Sequence, residues 1–104
     1  MTVLTKENFD DEVEKHEGLV VIDLYADWCG PCKMLAPVIQ ELENDYPEVK
    51  FCKINVDDER DLAMMFKVTS IPMVAFVKSN TFVDVSVGYV PKEKLSTIIE
   101  EHKR

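Results

Sequence analysis

Cys29 and Cys32 stand three positions apart in ADWCGPCK, residues 26–33, of a chain that has three cysteines in all. Two thiols at that spacing can bond to each other, share a metal ion, or lie buried and inert. Trp28 precedes the pair directly, and Gly30 and Pro31 separate its members. A structural zinc needs four ligands, and the other candidates are Cys52, His16 and His102, with no second close pair among them. Inert burial fits poorly with Gly-Pro at a helix start, which favours exposure. A reversible Cys29–Cys32 disulfide is the reading these residues favour over the other two.

The flanking sequence decides how such a pair would behave. LVVIDLYA, residues 19–26, is almost continuously apolar and rich in β-branched residues, the pattern of a strand covered on both faces. After the cysteines, Leu35, Val38, Ile39, Leu42 and Tyr46 repeat at helical spacing, which predicts an amphipathic helix kinked at Pro37. Cys29 then falls at a strand-to-helix junction. Unpaired N–H groups and the positive end of the helix dipole stabilise a thiolate there.

The remaining elements follow the same alternation. A short apolar start (Val3, Leu4) precedes a helix capped by Thr5, with Phe9 and Val13 on one face and a stop near His16 and Gly18. VKFCKINVD (49–57) reads as a strand, and Asp57 or Asp58 as the cap of a short helix burying Leu62, Met65 and Phe66. MVAFVK (73–78) and TFVDVSV (81–87) form a hairpin in which Asn80 is the one turn residue suited to positive φ. Pro91 opens a last helix that buries Leu95, Ile98 and Ile99, and Lys103 and Arg104 complement its C-terminal dipole. The order β-α-β-α-β-α-β-β-α predicts an α/β fold: a central mixed sheet, flanked by helices on both faces, in one domain over residues 1–104.

Bulk properties narrow the partners. The formal net charge is −8, which repels phosphate backbones and anionic membranes, so nucleic acid and membrane are not expected partners. MTVLTKENFDDEVEKH contains no basic start followed by an apolar run, so no secretory signal is read and the expected location is cytoplasmic. In a reducing cytosol a close cysteine pair is catalytic or metal-binding rather than structural.

WCGPC after a buried strand, SIP (70–72) before the hairpin and VGY (87–89) after it resemble the thioredoxin family over essentially the whole chain. The resemblance implies the thioredoxin fold and protein-disulfide reduction by dithiol–disulfide exchange. Cys29 would be the attacking thiolate, and Cys32, set back and less exposed, the resolving thiol. Asp23 interrupts the apolar strand, either as a carboxylate paired to a lysine or as a desolvated acid that takes and returns the proton of Cys32. The family has a buried aspartate here, which favours the second role, and Lys53 matches a lysine that sets its charge. The equivalent of Pro72 is cis in the family and faces the cysteines, so that nearby backbone can pair with an extended substrate. Trp28, Gly30, Pro31, Ile71, Gly88 and Tyr89 would form an apolar rim of low relief for disulfide-containing client proteins.

By the same resemblance no cofactor is bound beyond the redox-active disulfide. Electrons come from a separate thioredoxin reductase, NADPH-linked, and the protein is a monomer. Tyr25 stands where many members carry a second tryptophan, Tyr89 is bulkier than usual, and the hairpin lacks the usual glycine. Cys52, in a strand beside Ile54 and Val56, reads as a small buried hydrophobe rather than a regulatory thiol. An oxidase or isomerase on the same fold is the nearest rival, though Gly30-Pro31 lacks the histidine common in oxidising relatives. A scaffold role with incidental cysteines is the other.

Overall fold

The computed structural model describes residues 1–104. LVVIDLY becomes strand β2 (Leu19–Tyr25), after a two-residue β1 (Thr2–Val3) and a short π-type helix (Asp10–Glu14). Helix α1 (Gly30–Asp45), β3 (Lys50–Asn55), α2 (Arg60–Met65), β4 (Met73–Lys78), β5 (Thr81–Val87) and α3 (Lys92–His102) follow. The expected element order is therefore present. The strands form one sheet in the order β1-β3-β2-β4-β5. β3 runs parallel to β1 and β2, while β4 and β5 run antiparallel to their neighbours.

Central position explains why β2 is apolar on both faces. Val20, Ile22 and Leu24 pack with Phe9, Val13, Leu62 and Phe66 under the π-type helix and α2. Leu19 and Val21 pack on the opposite face with Leu35, Ile39 and Leu42 of α1 and Leu95 and Ile99 of α3. Side chains alternate across a strand, so each face needs its own cover, and each has one.

Several boundaries differ from expectation for local reasons. Thr5 does cap, but reciprocally with Asn8: the Asn8 N–H donates to Thr5 Oγ1 (3.2 Å) and the Thr5 N–H to Asn8 Oδ1 (2.8 Å). The turn that follows widens, with the Lys15 N–H reaching the Asp10 carbonyl at 2.9 Å, and Gly18 lies beyond its end. Neither Asp57 nor Asp58 caps α2; its cap is Glu59, without a side-chain bond. Asn55 instead takes the N–H groups of Asp57 (2.9 Å) and Asp58 (3.3 Å) on its Oδ1. Met65 is 53% exposed while Leu62 and Phe66 are buried, because a six-residue helix turns only two positions inward. Pro91 is the cap of α3 rather than its first residue. α1 continues through Pro37.

The hairpin turn uses two left-handed residues, Ser79 (φ 51°) and Asn80 (φ 60°), the combination that matches the twist of paired strands. The Ser79 hydroxyl donates to the Glu17 carbonyl at 3.0 Å, which helps hold this non-glycine residue at positive φ.

Phe76, beneath α1 and α3, is the largest fully buried side chain of the protein. Phe76→Ala should lower unfolding free energy by about 3–5 kcal/mol, measured by urea denaturation. A loss below about 1 kcal/mol would contradict this packing.

Candidate active site

The redox pair grows out of the end of β2. The chain leaves the sheet at Ala26, whose carbonyl accepts the Cys29 N–H at 3.2 Å. Cys29 is the N-cap of α1 in extended conformation, and its Sγ accepts the Cys32 N–H at 3.2 Å. Pro31 in the first turn has no N–H to satisfy. Cys29 and Cys32 are disulfide-bonded with Cα atoms 5.2 Å apart.

The expected difference in exposure between the two sulfurs is absent in this form: each cysteine is 4% exposed. Bonded to each other, they pack as one apolar unit with Ala26, and Tyr25, Val56 and Ile71 lie against them. What distinguishes them is position. Cys29 is the cap that receives a backbone N–H, and Cys32 is inside the helix that donates it.

Asp23 lies opposite Lys53 in the β2–β3 register, on the face covered by α1. It is 6% exposed and its Oδ1 has no hydrogen-bond partner. Burial pushes its carboxyl up to about 6, and the Lys53 charge opposes that rise. Lys53 does not close on the carboxylate as an ion pair would; its Nζ stands 5.7 Å from the centroid of the Tyr25 ring, within cation–π range. Asp23, Lys53, Tyr25 and Cys32 line one cavity with Ala26 and Ala36. The desolvated acid, rather than the lysine-paired one, is the arrangement present.

Of the residues expected at the rim, Ile71 lies against the disulfide. The Ile71–Pro72 bond is cis, and the Pro72 carbonyl accepts the Gly88 N–H at 2.7 Å. Gly88 has φ 85°, a conformation costly for residues with a Cβ. Gly30 and Pro31 are exposed, Trp28 is 71% exposed and Tyr89 45%. Asp57 is a contributor the sequence reading missed in this capacity: its Oδ2 accepts the Trp28 Nε1–H at 2.9 Å. Asn55, which shapes the turn carrying Asp57, was missed as well; only its place at a strand end hinted at such a turn.

Cys52 is fully buried in β3, and burial pushes its thiol up to about 11. It is not part of the site.

A family model described as Thioredoxin matches residues 1–101. The chain belongs to the thioredoxin family. It is 43% identical over 100 residues to Thioredoxin of Staphylococcus saprophyticus, covering 95% of this chain and 94% of that one. It is 39% identical over 103 residues to Thioredoxin M5, chloroplastic, of Oryza sativa, spanning 98% of this chain and 60% of that longer relative. Among solved structures, one described as the structural basis of thiol resolving in yeast mitochondrial 1-Cys peroxiredoxin via glutathione/thioredoxin systems superposes with a TM-score of 0.89. Its identity is 32%, and the match covers 97% of this chain and 94% of that one. Like other members of the thioredoxin family, the protein is a protein-disulfide oxidoreductase whose redox group is its cysteine pair. Disulfide substrates and a reductase partner follow from that membership. No helix is long and apolar enough to cross a membrane.

A buried carboxyl pushed up to about 6 from 3.8 has a definite consequence for stability. The folded state holds this proton more tightly than the unfolded state, so its contribution is fully present below pH 3.8 and is lost as pH rises through 6. Asp23→Asn removes that loss and should stabilise the protein by about 2–3 kcal/mol more at pH 8 than at pH 3.5. Urea denaturation of both proteins at the two pH values measures it; a difference that does not change with pH would refute it.

Proposed function

We propose that Cys29 is the nucleophile and Cys32 the resolving thiol in reduction of client-protein disulfides. The observation that carries this reading is the N-cap bond from the Cys32 N–H to Cys29 Sγ, since a backbone donor aimed at one sulfur favours its thiolate. The Cys29 thiolate attacks one sulfur of a client disulfide. That S–S bond breaks, the second client sulfur leaves as thiolate, and Cys29 is joined to the client in a mixed disulfide.

Cys32 then passes its proton to Asp23 across the cavity they share and attacks Cys29 Sγ. The client's remaining thiolate departs, and the two electrons of the Cys29–Cys32 dithiol now reside in the client as two thiols. Asp23 suits this step because burial holds its pKa near neutrality. Lys53 keeps that value from rising further, from its position over Tyr25. Pro72, Ile71 and Gly88 offer backbone to an extended client segment, while Trp28, Gly30, Pro31 and Tyr89 complete an apolar rim. The Tyr89 ring narrows that rim.

An NADPH-linked thioredoxin reductase returns the disulfide to the dithiol, and no bound cofactor takes part. The protein acts as a monomer, one domain over residues 1–104, in the reducing cytoplasm. A net charge of −8 supports the monomer by keeping copies apart.

Equilibration against dithiothreitol buffers tests the redox reading. Trp28, the sole tryptophan, adjoins Cys29 and reports the transition by fluorescence. The expected midpoint is more reducing than the glutathione pool; an oxidising midpoint or no transition would overturn the reductase reading. The division of roles has its own test. Cys32→Ser should accumulate a stable mixed disulfide with a disulfide-bonded client, and Cys29→Ser should form none. Trapping by Cys29→Ser instead would reverse the assignment.

A further inference from the structure

Beneath α2 the sheet is only partly covered. Phe82, Val85 and Val87 of β5 pair in register with Val77, Ala75 and Met73 of β4, and cross-strand partners share a face. The three β4 residues are buried in the core under α2. The three β5 residues are 48%, 41% and 53% exposed, and Met65, at the end of α2, is 53% exposed. Four exposed apolar side chains thus crowd one face of an acidic protein. A groove runs between them with Phe66 and Met73 in its floor, and Lys67 is the one charged residue in its lining.

This groove opens directly onto the rim of the redox site. Met73 follows Pro72 in sequence and Val87 precedes Gly88, and the Gly88 N–H donates to the Pro72 carbonyl at 2.7 Å. From that junction to Phe82 is roughly 17 Å of strand, room for about five extended residues. The rim alone could seat the reacting disulfide; the groove adds an apolar track leading away from it.

We propose that the groove holds the apolar segment of a client polypeptide that flanks its reacting cysteine, with an acidic client side chain over Lys67. This rests on the reading of the Pro72–Gly88 rim as the client-binding edge. Continuity with that rim selects the flanking segment as occupant, and Lys67 selects its charge. Contacts this far from the sulfurs hold the client equally before and during exchange, so they act on KM rather than on kcat.

The test uses two synthetic disulfide-linked peptide homodimers and one small disulfide, 5,5′-dithiobis(2-nitrobenzoate). One peptide carries five residues of leucine, phenylalanine and a glutamate on each side of its cysteine; the other carries glycine and serine. The first should have a kcat/KM about tenfold above the second, gained through KM. The exposed double variant M65Q/V85T should erase that advantage and leave the other two substrates unchanged. Lys67→Glu, a second and independent variant, should weaken only the glutamate-bearing peptide.

Equal rates on the two peptides would overturn the groove assignment. So would a loss on all three substrates in folded M65Q/V85T, which would place the effect on the redox centre. A dimer in sedimentation that M65Q/V85T abolishes, with no peptide preference, would assign the groove to a second copy of the chain instead. Failure of the unaltered protein to reduce the small disulfide would sink the exchange chemistry itself, a result separable from all of these.

Discussion

Burial of β2 on both faces is the constraint on which the rest of the structure depends. A strand in the middle of the sheet with helices above and below has no solvent on either side, so each polar group in it is desolvated. Along β2 the sequence meets this with six buried residues of seven, five of them apolar. The exception is Asp23, which keeps one carboxylate oxygen without a partner. That unpaired acid joins the core to the cysteine pair: burial raises its pKa, and it lines one cavity with Cys32.

The redox pair inherits its geometry from the end of that strand. Since β2 delivers the chain directly into α1, the first helical N–H groups have no carbonyl partner and face the cap residue. Cys29 occupies the cap, so the unsatisfied donor of Cys32 is aimed at a sulfur. The neighbouring loops are held independently of this bond. Asn55 organises the turn after β3, that turn presents Asp57, and Asp57 fixes the Trp28 indole. Trp28 remains mostly exposed although its ring nitrogen is anchored, which leaves a fixed apolar surface beside the disulfide rather than a mobile one.

Local patterns were legible wherever period and turn chemistry are strong. The continuous apolar run of β2, the helical repeat of α1 and the β-branched runs of β3, β4 and β5 each predicted an element that is present. Failures fall where a residue answers to a distant partner. Ser79 adopts the positive φ that the two-residue turn requires, and its hydroxyl bonds the Glu17 carbonyl 62 positions away, a partner that no local rule contains. Met65 has the spacing of a core residue but lies on the flank of a helix too short to bury it. Asp57 has the chemistry of a cap yet is taken up by Trp28, and Asn55 does the work at the turn.

The sequence by itself determined the order of elements, the apolar faces and the placing of two cysteines at a helix start, because these depend on spacing along the chain. It also carried the family, through WCGPC and the downstream proline in their order. Only the tertiary structure decided what surrounds the sulfurs. The register that sets Asp23 against Lys53, the Tyr25 ring that draws the lysine ammonium away, and the contact of Gly88 with Pro72 all join residues far apart in the chain. Burial and electrostatics depend on distance in space, and for such groups it is the packing of the sheet and its helices that sets that distance.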